Sequence, residues 1–299
     1  MPAVARCGYS VRMTPTTDRP LRVLSFGAGV QSSYLARLSL IGELPRFDHV
    51  IFADTGDEPA GVYTNLAWWE QRFSDEGLPF HVVRANKGAI TDEIRRAVRG
   101  ERKGVPTPVF MRKSDGSMAM VSRQCTKTFK IDPVARKITE LVGLTRRPHR
   151  HITDHLVSQF IGISWDEAQR MKDPIHPWMR NVYPLVDRRI TRATIKAEFA
   201  AQDEFPQPPR SACWHCPYMS DESWRLLRNR SPDDFDKAVA LDAELRAPGA
   251  LPRTNLDGPV FLHRSGVPLA DVDFDNAEDK GQLTMADLWG NECEGMCGL

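Results

Sequence analysis

The stretch "LRVLSFGAGVQSSYLARL", residues 21–38, joins an apolar run, Leu21 to Phe26, to a helical pattern through a turn of two glycines and two serines. Glycine in such a turn lets backbone come close to an anion, and the following helix offers free N–H groups and the positive end of its dipole. In form the turn is a phosphate cradle. A Walker loop ends in Gly-Lys-Ser/Thr, and no lysine is present here. A dinucleotide fingerprint asks for a third glycine where Ser32 stands, although Asp54 closes the next apolar run where a ribose-binding acid belongs. Two readings remain: a Ser- and Gly-containing turn that grips the pyrophosphate of ATP, and a glycine turn without a ligand.

Working outward, "DHVIFA" reads as a second strand, "AGVYTNLAWWEQRFSDEG" as a helix stopped by Gly77, and "FHVV" as a third strand. Strand, helix, strand, helix, strand predicts an α/β fold: an open parallel sheet with helices on both faces. Residues 84–124, rich in Arg, Gly and Pro, read as a long excursion over the carboxyl edge of that sheet. A helix at "VARKITELVG" and a strand in "HLVSQFIGIS" return the chain to it. After Asp166 short helices and Pro-rich links predict a small, mainly helical C-terminal subdomain. The expected division is a flexible leader at 1–20, a nucleotide-binding domain at 21–170 and a cysteine-containing subdomain at 171–299.

The chain of 299 residues is 41% hydrophobic and 26% charged with a formal net charge of +1, which exerts no overall pull toward nucleic acid. The charge is uneven, however. Residues 95–113 hold seven Arg or Lys against one Glu, and 145–151 add three Arg and two His, whereas 271–299 carry eight acids and one Lys. Each basic run is a solvated loop or a polyanion-binding face. No apolar run reaches the ~20 residues of a membrane helix, and the N-terminus lacks the apolar centre of a secretory signal. These features predict a cytoplasmic protein with no membrane partner. Six cysteines in such a chain, Cys7, Cys125, Cys213, Cys216, Cys293 and Cys297, read first as metal or redox groups.

Four blocks in order, "SFGAGVQSS" (25–33), "FADTGDEP" (52–59), "RQCTKTFKIDP" (123–133) and "IGISWDEAQR" (161–170), resemble the phosphoadenosine phosphosulfate reductase family of PP-loop proteins. That adenine nucleotide alpha-hydrolase-like superfamily, with its HUP-like sheet, also contains the sulfurtransferases of DNA phosphorothioation. The resemblance implies that Ser25, Phe26, Gly27, Ala28, Gly29, Val30, Gln31, Ser32 and Ser33 form the loop around the phosphates of ATP or a sulfonucleotide, with Mg²⁺ assisting. It implies that Asp54 and Thr55 line the nucleotide pocket and that Arg123, Lys127, Lys130 and Arg170 face phosphate or sulfate. Ser164 stands where related reductases usually carry Arg, which removes one anion contact.

"CWHC" at 213–216 is by itself a zinc knuckle, a redox pair or half of an iron–sulfur site. Related adenylylsulfate reductases hold a 4Fe-4S cluster with a Cys-Cys pair in the block at 123–133 and a later C-x-x-C; here the pair is Gln124-Cys125. The implied ligands are Cys125, Cys213, Cys216 and Cys293, with zinc as the alternative metal and a three-cysteine cluster as the alternative ligand set. His215 reads as a neighbour of the site rather than a ligand. The tail "ECEGMCGL" resembles the reductases' nucleophile segment without its histidine, so Cys297 is the expected mobile catalytic thiol. The activity implied is ATP-dependent sulfur transfer to a nucleic-acid acceptor, DNA or tRNA, fed by a cysteine desulfurase or other sulfur donor, in a chain that forms oligomers or acts alone. Sulfonucleotide reduction with release of sulfite, and nucleotide binding without turnover around structural zinc, are the competing expectations.

Overall fold

The computed structural model describes residues 19–121, 123–144 and 152–274. Five strands form one parallel sheet in the order β3-β2-β1-β6-β7: β1 (Leu21–Phe26), β2 (His49–Asp54), β3 (Phe80–Arg84), β6 (Val157–Ile161) and β7 (Met179–Val182). Helices α1 (Val30–Leu40) and α2 (Ala60–Asp75) make the two crossovers on one side of β1. The chain then returns to β6 on the other side. The carboxyl end of β1 is therefore a topological switch point, where open α/β sheets leave a crevice for ligands.

Alternation along the strands divides the core. Leu24, Phe26, Val50 and Phe52 face α1, α2 and α6 (Arg192–Ala200), where Phe26 meets Trp69 and Phe73 edge-on with centroids 5.7 and 5.5 Å apart. Val23, Ile51, Ala53 and Val157 face α4 (Asp132–Leu141) through Val134 and Ile138. Helices thus cover both faces, the period-2 burial of a sheet filled from two sides. Trp69 is fully buried in the first core.

Two stretches differ from the sequence reading. The excursion at 84–124 contains a helix, α3 (Ile90–Val98), and a hairpin of β4 (Phe110–Arg112) and β5 (Met118–Met120). β4 also pairs with β8 (Val260–Phe261), and α3 packs with α7 (Asp221–Arg230) and α8 (Pro232–Glu244) in a separate core. The excursion and the later chain therefore share one apolar cluster. The parallel sheet also runs past residue 170, because β7 adds its hydrogen bonds to β6 and α6 covers α1. Among the described residues no helix is long and apolar enough to cross a membrane.

Candidate functional site

The turn after β1 leaves a run of backbone donors without protein acceptors among the described residues. Gly29 caps α1 without a side-chain hydrogen bond, and the first turn of the helix has no acidic residue. The amides of Ala28, Gly29, Val30, Gln31 and Ser32 meet no acceptor among the described residues. Ser33 is fully buried and its hydroxyl likewise has no partner there. A buried helix start normally satisfies these groups by capping, water or a ligand. Ala28 sits at φ +54°, left-handed backbone that costs a residue with a Cβ about 1–2 kcal/mol and is concentrated at ligand-binding turns.

Neighbouring elements hold the turn in shape. Ser32 Oγ accepts from the Gly27 amide at 3.1 Å, and Asn65 Nδ2 donates to the Ala28 carbonyl at 2.9 Å. Gln31 Nε2 donates to Glu167 at 2.8 Å, and Arg170 pairs with the same carboxylate at 2.7 Å. Burial pushes the Glu167 carboxyl up despite Arg170. Gly162, just past β6, lets the two backbones touch: a Cβ there would stand 2.8 Å from the Ser32 nitrogen. The mouth of the turn is covered. Ser211 donates from its hydroxyl to the Gly27 carbonyl, and a Cβ on Gly29 would lie 2.7 Å from that of Ser211.

Other expected loop and pocket residues have their polar groups engaged. Ser25, on β1, accepts from Gln159, and the ring of Phe26 lies in the aromatic core. Asp54 accepts from Arg84, from the Gly56 amide at 2.8 Å and from Tyr63 at 2.8 Å, a contact that with burial pushes the Tyr63 phenol up. Thr55 donates to Glu58 at 3.1 Å and lies 3.6 Å from Cys213 Sγ. Lys127 is exposed and paired with Asp132 at 2.9 Å, so it stands apart from the pocket.

The thiols do gather. Cys125, Cys213 and Cys216 line one pocket with Arg123, Lys130 and His215. Cys125 comes from the start of the helical segment whose next residues, Lys127–Ile131, form a turn of π-helix, a feature common at functional sites. The other two come from a tight turn closed by the Cys216 amide on the Cys213 carbonyl at 3.0 Å. Lys130 is buried and donates to Glu58 at 3.2 Å; neighbouring Glu58 and the thiols hold its ammonium above the ordinary value against the cost of burial. Arg123 lies 5.2 Å from the centre of the Tyr218 ring. Burial pushes both the Cys213 and the Cys216 thiols up. Cys7, Cys293 and Cys297 lie outside the described residues.

The donor chemistry fits a thiolate-loving metal, since three sulfurs share one pocket with a histidine nitrogen that lacks a partner. The spacing is looser than chelation of one ion requires: among the described residues no group of three or more His, Cys, Asp or Glu is close enough to hold one. The turn and the pocket are joined by one short segment, because Ser211 touches Gly29 while Cys213 and Cys216 follow two and five residues later.

In the basic run at 95–113, read as a solvated loop or a polyanion-binding face, four arginines are paired with glutamates. Arg95 pairs with Glu244 at 3.0 Å, Arg96 and Arg102 with Glu93 at 2.6 and 3.0 Å, and Arg99 with Glu101 at 2.6 Å. The run at 145–151 lies outside the described residues.

Sequence reasoning missed four contributors: Ser211, Asp57, Asn65 and Gly162. Asp57 and Gly162 fall inside blocks that carried the resemblance, whereas Ser211 and Asn65 have no local signal. No family model matches the chain, and no curated protein matches it.

Proposed function

We propose that this chain is a PP-loop enzyme of the phosphoadenosine phosphosulfate reductase type that uses ATP to transfer sulfur to a nucleic-acid acceptor. The observation that carries the reading is the segment Ser211–Cys216, which spans from an uncapped, donor-rich turn to a pocket of three thiols. Phosphate chemistry and sulfur chemistry need such adjacency if one activates the atom the other attacks.

In this reading the acceptor oxygen bonds to the α-phosphorus of ATP and pyrophosphate leaves with the electrons of the broken P–O bond. Negative charge then grows on the departing β-phosphate, and fixed amides from Ala28 to Ser32 with the Ser33 hydroxyl stabilise it without reorganising. Mg²⁺ bound with the nucleotide would supply further charge compensation. Ser211 moves off Gly29 to admit the nucleotide. A sulfur nucleophile next bonds to the activated atom of the acceptor, and AMP departs with the bonding pair. Cys297 is the assigned carrier, loaded as a persulfide by a cysteine desulfurase or equivalent donor; once its outer sulfur has bonded to the acceptor, a second thiol cleaves the remaining sulfur–sulfur bond, forming a disulfide with Cys297 and releasing the thiolated acceptor. Cys125, Cys213 and Cys216, which line one pocket, would hold an iron–sulfur cluster, whose irons bind sulfur.

The test is an anaerobic incubation of the full chain with labelled ATP and total nucleic acid, followed by mass spectrometry of the nucleosides. Pyrophosphate release that depends on the acceptor, with thio-nucleosides formed, is the expected result. Sulfite from phosphoadenosine phosphosulfate, or nucleotide binding with no turnover, would overturn it in favour of a reductase or a sensor.

A further inference from the structure

We propose that Trp165 and Arg189 form a stacking platform for an unpaired nucleobase of the acceptor strand, beside the turn after β1. This rests on the nucleic-acid part of the proposed function and deepens it, because a base reaches such a platform only from a single strand or when flipped out of a duplex.

Trp165 is 46% exposed, whereas Trp69, Trp178 and Trp224 are fully buried. The Arg189 guanidinium lies over its ring, 5.5 Å from the centroid. Arg189 is exposed and has no carboxylate partner among the described residues, unlike Arg95, Arg96, Arg99 and Arg102. Two backbone bonds fix the pair: the Trp165 amide donates to the Ile190 carbonyl at 2.8 Å, and the Arg192 amide to Asp166 at 3.0 Å.

The backbone gives no reason for an arginine at 189. Helix α5 (Pro184–Asp187) is closed by the Arg189 amide on the Val186 carbonyl at 3.0 Å and the Ile190 amide on the Leu185 carbonyl at 2.8 Å. That closure places Arg189 at φ +55°, where glycine is the usual residue. What arginine adds is a side chain long enough to cover Trp165.

The chain ties this pair to the turn. Ser164 Oγ is 3.5 Å from Gln31 Nε2, and Glu167 accepts from the same nitrogen at 2.8 Å, so residues on both sides of Trp165 touch the start of α1. The two carboxylates next in the chain are engaged, Asp166 by the Arg192 amide and Glu167 by Gln31 and Arg170. An exposed indole with a guanidinium against it offers the planar, cationic surface on which bases of single strands stack.

The experiment is fluorescence anisotropy of the full chain at fixed salt with labelled random-sequence oligonucleotides of about 12 nucleotides: single-stranded DNA, single-stranded RNA and duplex DNA. The wild type is expected to bind a single strand more tightly than the duplex. Trp165→Ala should weaken single-strand binding about tenfold and Trp165→Phe about threefold or less, with duplex binding unchanged. Arg189→Gly should weaken it about two- to fivefold while melting at or above the wild-type temperature, since glycine suits the turn. Single-strand affinity unchanged in both Trp165→Ala and Arg189→Gly would overturn the platform and leave the acceptor reading standing. Calorimetric ATP affinity lost in place of strand affinity would overturn it in favour of the nucleotide's own adenine, and a dimer lost in place of it, seen by sedimentation, in favour of a second copy of the chain. A wild type that binds none of the three probes would overturn the nucleic-acid reading beneath it as well.

Discussion

Ser33 and Gly162 make opposite demands on the turn after β1. The Ser33 hydroxyl is buried and unused, so Ser33→Ala removes no intramolecular bond. We expect the nucleotide-free variant to melt at the wild-type temperature or slightly above, and calorimetric affinity for ATP to fall about tenfold, or ~1.4 kcal/mol. A lower melting temperature with unchanged affinity would identify Ser33 as packing only. Gly162 is limited by backbone on its far side: an added Cβ meets the Ser32 nitrogen at 2.8 Å and the Gln31 carbonyl carbon at 3.0 Å. Main chain gives way less readily than a side-chain tip. Gly162→Ala is therefore expected to lose about 1–3 kcal/mol in urea unfolding and to weaken ATP binding by displacing the amides of the turn.

At the scale of elements, β2 and β3 carry a pH dependence. His49 Nδ1 and His81 Nε2 lie 3.1 Å apart on the face covered by α4, and burial lowers both pKa values, with Lys137 adding to the effect. The unfolded chain takes up protons near the ordinary value of about 6.5, whereas the folded pair resists them. Their contribution to stability is complete above that value and is lost as pH falls below it toward the depressed folded values. Melting temperature should drop between pH 7.5 and 5.0, and the drop should shrink in a His49→Gln, His81→Gln variant. Helix α3 makes a different point. Arg95, Arg96 and Arg99 each face a glutamate, so replacing all three with Gln should change nucleic-acid affinity less than twofold in a filter-binding titration at physiological salt. That helix was not legible in the sequence, because its glycine- and arginine-rich surroundings masked an apolar face of Ile90, Ile94 and Ala97 that packs against distant chain. β1 to β3 with α1 and α2 were legible, since their burial is local and periodic. The gathering of Cys125 with Cys213 and Cys216 at one pocket was implied by the family resemblance, not by spacing alone. The cover over the turn did not, because Ser211 is an ordinary serine whose position depends on how two cores meet.

At the scale of the molecule, the second core is discontinuous. Ile94, Val109 and Phe129 pack with Trp224, Leu241 and Phe274, so the excursion and the C-terminal segments stabilise each other. A fragment ending at residue 170 loses β7, α6 and most of that core. Expressed alone it should aggregate, whereas residues 19–274 should give the far-ultraviolet circular dichroism of a folded α/β chain; a soluble, cooperatively melting 19–170 fragment would contradict the shared core.

Ser211 resting on Gly29 makes the resting molecule its own plug. In the proposed function an anion entering the turn would have to displace that serine, and the main chain from Ser211 leads to Cys213 two residues on. Were both ends occupied as proposed, any effect of loading the thiols on nucleotide affinity would be returned by the nucleotide in equal measure.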